Sequence, residues 1–165
     1  MVATDCGHTA IVAMLLATHH VDVNRKERDG NTPLLSAARN GHSSVVKLLC
    51  AEKNFPLSVG DDVKPDLRNL DGRTPLSLAA ELGHEAVVKL LLTTPGVNAT
   101  SADSKNRTSP WWAAQSGNEV ATQALLAKME KACLDTPDSD DETPLLCAAR
   151  NEHKAWCGYS LLPRG

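Results

Sequence analysis

Aromatic side chains are nearly missing from this chain: Phe55, Trp111, Trp112, Trp156 and Tyr159 are all that its 165 residues contain. A core must therefore be built from Ala, Leu and Val, which suits closely approaching helices better than a β-sandwich. Basic runs are missing too. With a net charge of −3 there is no concentrated cation to neutralise phosphates, so nucleic acid is not expected as a partner. No apolar stretch approaches the length of a membrane span, so no membrane insertion is expected. The run 10-AIVAMLLA-17 resembles the apolar part of a signal peptide, but no Lys or Arg precedes it and Asp5 sits where positive charge belongs. The cysteines, Cys6, Cys50, Cys133, Cys147 and Cys157, are odd in number and form no C-x-x-C. Neither a disulfide framework nor a zinc site is expected, and a reducing, intracellular compartment (cytoplasmic or nuclear) fits best.

What the chain has in abundance is itself. The stretch 29-DGNTPLLSAARNGHSSVVKLLC-50 returns as 71-DGRTPLSLAAELGHEAVVKLLL-92, with 14 of 22 positions identical. Taking the Thr of each phrase as a marker, copies begin at Thr32, Thr74, Thr108 and Thr143, spaced by 42, 34 and 35 residues. Such a period belongs to stacked repeats rather than to a catalytic site, which needs its residues once. A headless copy opens the chain, with Gly7-His8 ahead of 11-IVAMLL-16, so the chain begins in mid-unit.

Each phrase has a physical meaning. Thr32, Thr74 and Thr143 can cap a helix whose first position is the following Pro, where the missing N–H costs nothing. In the third copy Pro110 arrives one place late, and either Thr108 or Ser109 can cap. The alanine pairs 37–38, 79–80, 113–114 and 148–149 thin the helix so that neighbours approach. Gly41, Gly83 and Gly117 then end it in a left-handed turn. The Val-Val-x-Leu-Leu pattern that follows puts apolar groups on one face of a second helix. The first helix has about eight residues and would melt alone. It must lean on its copies.

The unit resembles the ankyrin repeat, whose signature is T-P-L-H-x-A, over roughly residues 2–153. The phrases 111-WWAA-114 and 74-TPLSLAAELGHEAVVKLLL-92 look like arrays common in filamentous fungi. The resemblance implies an all-α solenoid of stacked helix-turn-helix units with β-hairpin or loop fingers. The units are a truncated first repeat at 1–28, a repeat at 29–70 with a loop insertion near 51–62, repeats at 71–104 and 105–139, and a degenerate or truncated last repeat and tail at 140–165. In the family the signature His bonds to neighbouring loops. Leu35, Ser77, Trp111 and Leu146 stand in its place here, which removes that tether.

Other candidate chemistry reads as structural. His42 and His84 follow helix-ending glycines and, one unit apart, are separated by about the ~10 Å of packed helices, too far to share a metal. They are expected to satisfy local backbone groups at a helix start. Cys6, His8, His19 and His20 match no zinc spacing. Cys147 sits where Ser36, Leu78 and Trp112 sit, as a core residue. The acidic run 135-DTPDSDDE-142 lacks a calcium-loop pattern and reads as a solvated finger or a contact for a basic partner, and Ser139 within it suits an acid-directed kinase. Register with Leu78 turns Trp112 inward. Trp111 aligns with Ser77 near the concave groove, where it is either an exposed contact residue or a seal against the neighbouring repeat.

In the family the concave face binds another protein, and that non-catalytic function, with no cofactor and no metal, is the expectation. Carried over by position, the finger residues are Arg28, Asp29 and Asn31, then Leu70, Asp71 and Arg73. The later fingers supply Ser104, Lys105 and Arg107, then Ser139, Asp140 and Glu142. The helix ends contribute Arg39, Asn40, Glu81 and Leu82, then Gln115, Ser116, Arg150 and Asn151. Two other readings stand beside it: an array that docks a ligand for an attached effector domain in a larger protein, and an enzyme, for which only scattered His and Cys speak. The apolar, uncapped ends are expected to fray or to self-associate.

Overall fold

The computed structural model describes residues 2–18, 21–51, 63–129 and 135–153. The inserted loop (residues 52–62), His19-His20, Cys133 and the tail 154–165 lie outside the described residues. Among the described residues the elements are all helical: α1 (Val2–Asp5), α2 (Thr9–Leu16), α3 (Pro33–Arg39), α4 (Ser43–Cys50), α5 (Pro75–Leu82), α6 (Glu85–Leu91), α7 (Ser109–Ser116), α8 (Glu119–Lys128) and α9 (Pro144–Arg150). They form two rows. First helices α1, α3, α5, α7 and α9 pack each on the next, second helices α2, α4, α6 and α8 do the same behind them, and α1, α3, α5 and α7 each also pack on the second helix of their own unit.

The caps are set by threonine. Thr32 Oγ1 accepts from Leu35 N at 3.3 Å and Thr143 Oγ1 from Leu146 N at 3.3 Å. Thr74 closes a reciprocal box: its hydroxyl accepts from Ser77 N at 3.2 Å while Ser77 Oγ accepts from Thr74 N at 3.0 Å. Thr108 occupies the cap position of α7 but its hydroxyl makes no cap bond and is buried without a partner.

The core is one continuous cluster from Val12 to Ala148. The alanine pairs of α3, α5 and α7 are fully buried, as is Ala148. Ala149 alone among them is exposed, because no first helix follows α9 among the described residues. Valines and leucines of the second helices, Val45, Val46, Val87, Val88, Leu91 and Leu125, fill the space behind.

The fingers are turns, not paired strands, and no strand occurs among the described residues. Of the two expected forms, hairpin or loop, the fingers take the closed loop. In each, one residue donates to a carbonyl four places on: Glu27 to Asn31 O, Asn69 to Arg73 O, Asp103 to Arg107 O and Asp138 to Glu142 O, all at 2.9–3.0 Å. Segments this short, held by one such pair, have no ladder to extend. One backbone bond joins each finger to the next: Leu70 N to Asp29 O, Ser104 N to Asp71 O and Ser139 N to Lys105 O, at 3.2, 3.3 and 2.9 Å.

A second joint links the units through the histidines, which do not satisfy local groups as expected. His42 Nε2 bonds Asp5 O at 2.8 Å, His84 Nε2 bonds Arg39 O at 2.9 Å and His153 Nε2 bonds Gln115 O at 3.1 Å, each in the preceding unit. Each ring lies over the left-handed glycine there, Gly7, Gly41 and Gly117, and Asn118 lies over Gly83 in the same way. A Cβ at Gly41 would stand 2.6 Å from the His84 ring. The tether that the signature His would supply is thus made by a different histidine, seven residues further on.

Gly41→Ala should cost about 1–2 kcal/mol from the left-handed backbone alone and more from the clash, whereas His84→Ala should cost about 1 kcal/mol for its hydrogen bond. In the double variant the clash is gone, so urea unfolding should show a total smaller than the sum of the two single effects.

Candidate functional site

The places expected to form the contact face lie on the four fingers and at the ends of α3, α5, α7 and α9. Each finger takes its shape from one Asx carboxyl or amide. Asn69 Oδ1 accepts from the backbone of Asp71 and Arg73, Asp103 Oδ1 from Lys105 and Arg107, and Asp138 Oδ1 from Asp140 and Glu142, at 2.9–3.1 Å. These residues were missed in the sequence reading, which began each finger one place later. Their spacing of 34 and 35 repeats that of the cap threonines and could have found them. In the first finger, where Glu27 holds this place, Asp29 Oδ1 accepts from Asn31 N instead at 3.0 Å.

The tips and helix ends present most of the expected side chains to solvent. Arg28, Asp29, Leu70, Asp71, Ser104, Lys105, Ser139 and Asp140 are exposed on the fingers. Arg39, Asn40, Leu82, Gln115, Ser116, Arg150 and Asn151 are exposed at the helix ends. Asn40 and Asn151 also donate to helix carbonyls, Ser36 O at 3.0 Å and Cys147 O at 2.9 Å. Glu81, Arg107 and Glu142 are half-buried. Leu70 is the most conspicuous, an apolar side chain 76% exposed at a finger tip.

Three expected surface residues are not on the surface. Asn31, Arg73 and Trp111 are buried. Asn31 folds against Asp29 within its own turn. Arg73 runs along α5: its Nη2 pairs with Glu81 Oε2 at 2.7 Å, its Nε approaches Ser77 Oγ at 3.4 Å, and its guanidinium lies 3.5 Å from the centre of the Trp112 ring. Burial pushes the Arg73 guanidinium below its ordinary value, and the Glu81 carboxylate works against that shift. Arg107 covers the same ring at 4.2 Å and the Trp111 ring at 5.2 Å, while its Nη2 pairs with Asp103 at 2.9 Å.

Trp112 therefore has an arginine of each of two fingers against it, a cation–π arrangement. Trp111 meets it edge to face with centroids 5.2 Å apart, and both indole N–H groups are buried without an acceptor. With Cys147 the two rings make an apolar cluster separate from the main core. Of the two readings of Trp111, the structure has the seal. Trp112 is buried as its register with Leu78 implied, both 6% exposed, but it belongs to this cluster and not to the alanine core.

The Arg73–Glu81 pair has a counterpart in the last unit with the charges exchanged: Glu142 on the finger and Arg150 at the helix end, 3.1 Å apart. The same two places hold Asn31 and Arg39 in one unit and Arg107 and Gln115 in another. Cys147 is fully buried and burial raises its thiol pKa, Glu142 adding to the shift; Cys50 is raised by burial too. A buried thiol held protonated is a poor nucleophile. Among the described residues no three His, Cys, Asp or Glu side chains converge on a metal-sized site, and no helix is long and apolar enough to cross a membrane.

The family model for ankyrin repeats, in three copies, matches residues 1–103. The chain belongs to the ankyrin-repeat family, and ankyrin repeats are generally protein–protein interaction modules. No curated protein matches the chain.

Because Arg73 holds Glu81 and roofs Trp112, Arg73→Glu should lower stability by at least about 1–3 kcal/mol rather than act as a neutral surface change. Urea unfolding with the exposed Arg39→Glu as control should separate the two, the control staying within about 0.5 kcal/mol of the wild type.

Proposed function

We propose that the chain is a non-catalytic module that holds another protein along its concave side, with the finger tips and first-helix ends as the contact surface. One observation carries this. The closest-packed positions, Ala37, Ala79, Ala113 and Ala148, are the same from unit to unit and buried, while the exposed tips change: Arg28, then Leu70, then Ser104, then Ser139. Packing demands are constant along a solenoid, so variety on one face reflects what that face meets. The contact set is now the exposed one, centred on Leu70, Lys105, Arg39 and Leu82, with Arg73, Asn31 and Trp111 serving as its support.

Photo-crosslinking residues placed at Leu70 or Lys105 should yield adducts with one discrete protein, and the same groups at Lys47 or Lys89 on the second helices should not. Adducts from the second helices alone would reverse the assignment of the face.

A second reading concerns α2. Its Ile11, Met14 and Leu15 are exposed, and an exposed apolar face supports self-association there.

A further inference from the structure

Two guanidiniums meet at one indole. Arg73 and Arg107, from neighbouring fingers, lie 3.5 and 4.2 Å from the centre of the Trp112 ring. Each is gripped along one edge only. Arg73 uses Nε and Nη2 on Ser77 and Glu81, and Arg107 uses Nε and Nη2 on Asp103. The remaining nitrogen, Nη1, bonds nothing among the described residues in either case and stays within reach of solvent. Arg68, by contrast, delivers its Nη1 to Ala102 O.

The cluster is rich in donors and short of acceptors. Trp111 Nε1 and Trp112 Nε1 are buried with no acceptor, on side chains 4% and 6% exposed. The carboxylates beside them are already engaged. Asp103 Oδ1 accepts from Lys105 and Arg107 backbone and its Oδ2 from Arg107 Nε, while Glu81 Oε2 accepts from Arg73. Arg73 is only 7% exposed. Burial lowers its pKa, Glu81 opposes that shift, and the charge of Arg107 adds to the lowering. A cation kept from water beside a second cation gains from one more anion. Both groups are held in place before anything arrives, so an incoming acceptor does not have to order them.

The local balance of charge sets what kind of anion fits. Glu81 and Asp103 offset the two arginines, so a phosphate dianion would be repelled by both carboxylates. A carboxylate brings a single charge and two oxygens, one for each Nη1. Leu82, next to Glu81 in the chain, is 48% exposed and offers an apolar flank.

We propose that Arg73 and Arg107 form a carboxylate-reading site on the contact face, taking an aspartate or glutamate side chain of the partner between their Nη1 atoms beside Trp112. This rests on the reading of the finger tips and first-helix ends as the contact surface, and adds the chemistry which that surface selects.

A random dodecapeptide library displayed on phage and selected on the full chain tests it. Enriched peptides should share one Asp or Glu. Synthetic versions with that residue changed to Asn or Gln should bind at least about tenfold more weakly. That difference should vanish in Arg107→Gln, with helical circular dichroism as in wild type. The indole N–H resonances of Trp111 and Trp112, assigned with Trp111→Phe and Trp112→Phe, should shift with the acidic peptide and not with its amide version. This peptide pair needs no variant of the arginines, so it decides the question even where Arg107→Gln does not fold. Four results would each overturn the proposal: no enrichment, enriched peptides without a shared acid, equal affinity for acid and amide versions, or an acid effect that survives in folded Arg107→Gln. Tighter binding when phosphoserine replaces the acid would do so too. Failure of the contact-face reading looks different, because Leu70→Lys and Lys105→Glu would then leave all peptide binding unchanged. Peptides that need those tips but not the acid would sink the arginine site alone.

Discussion

The distance between neighbouring first helices governs this molecule. Helices of seven or eight residues do not persist in water by themselves, so α3, α5, α7 and α9 exist because each lies against the next. Alanine at the contact makes that possible. Its methyl group lets two backbones approach, and the threonine cap and proline start hold each helix in register for the approach. Once the first row is spaced this way, the second row follows, with valine and leucine filling the wider gap behind it.

The same closeness explains the glycine joints. Where two units meet at the helix turn there is room for an imidazole ring or a backbone with no Cβ, and not for both a ring and a methyl group. The ring then reaches a carbonyl of the preceding unit that its own helix has left free at its end. Apolar packing and hydrogen bonding are satisfied by one side chain at one place.

Local and repeated features were legible in the sequence. The period, the caps of Thr32, Thr74 and Thr143 and the helix-ending glycines need only neighbours in the chain, and each was written several times. What was not legible depends on side chains that only the folded chain brings together, within a unit or between units. Trp111 occupies the place of Ser77, and nothing within its own phrase says that Arg107 and Cys147 will enclose it. Arg73 reads as a finger-tip charge until Glu81, eight residues on, is brought back to it along α5. The histidines were misread for the same reason, since a ring's partner in the preceding unit is invisible to a rule about its own helix. The candidate surface was legible as a list of places, but which of them face outward was settled by contacts such as Asn31 with Asp29 and Arg73 with Glu81.

The exchanged pairs, Arg73 with Glu81 and Glu142 with Arg150, show how freely such an array varies while keeping one geometry. A strut between finger and helix end needs opposite signs and not a particular order.

Between fingers there is a single backbone bond, and between helix turns a single ring-to-carbonyl bond. Units joined by a continuous apolar core and by these bonds hold only their immediate neighbours. Pulled from its two ends, such a molecule would give way one unit at a time at low force and close again as the load is released. It would lengthen in steps, the longest where the spacing is 42 residues and nearly equal where it is 34 and 35.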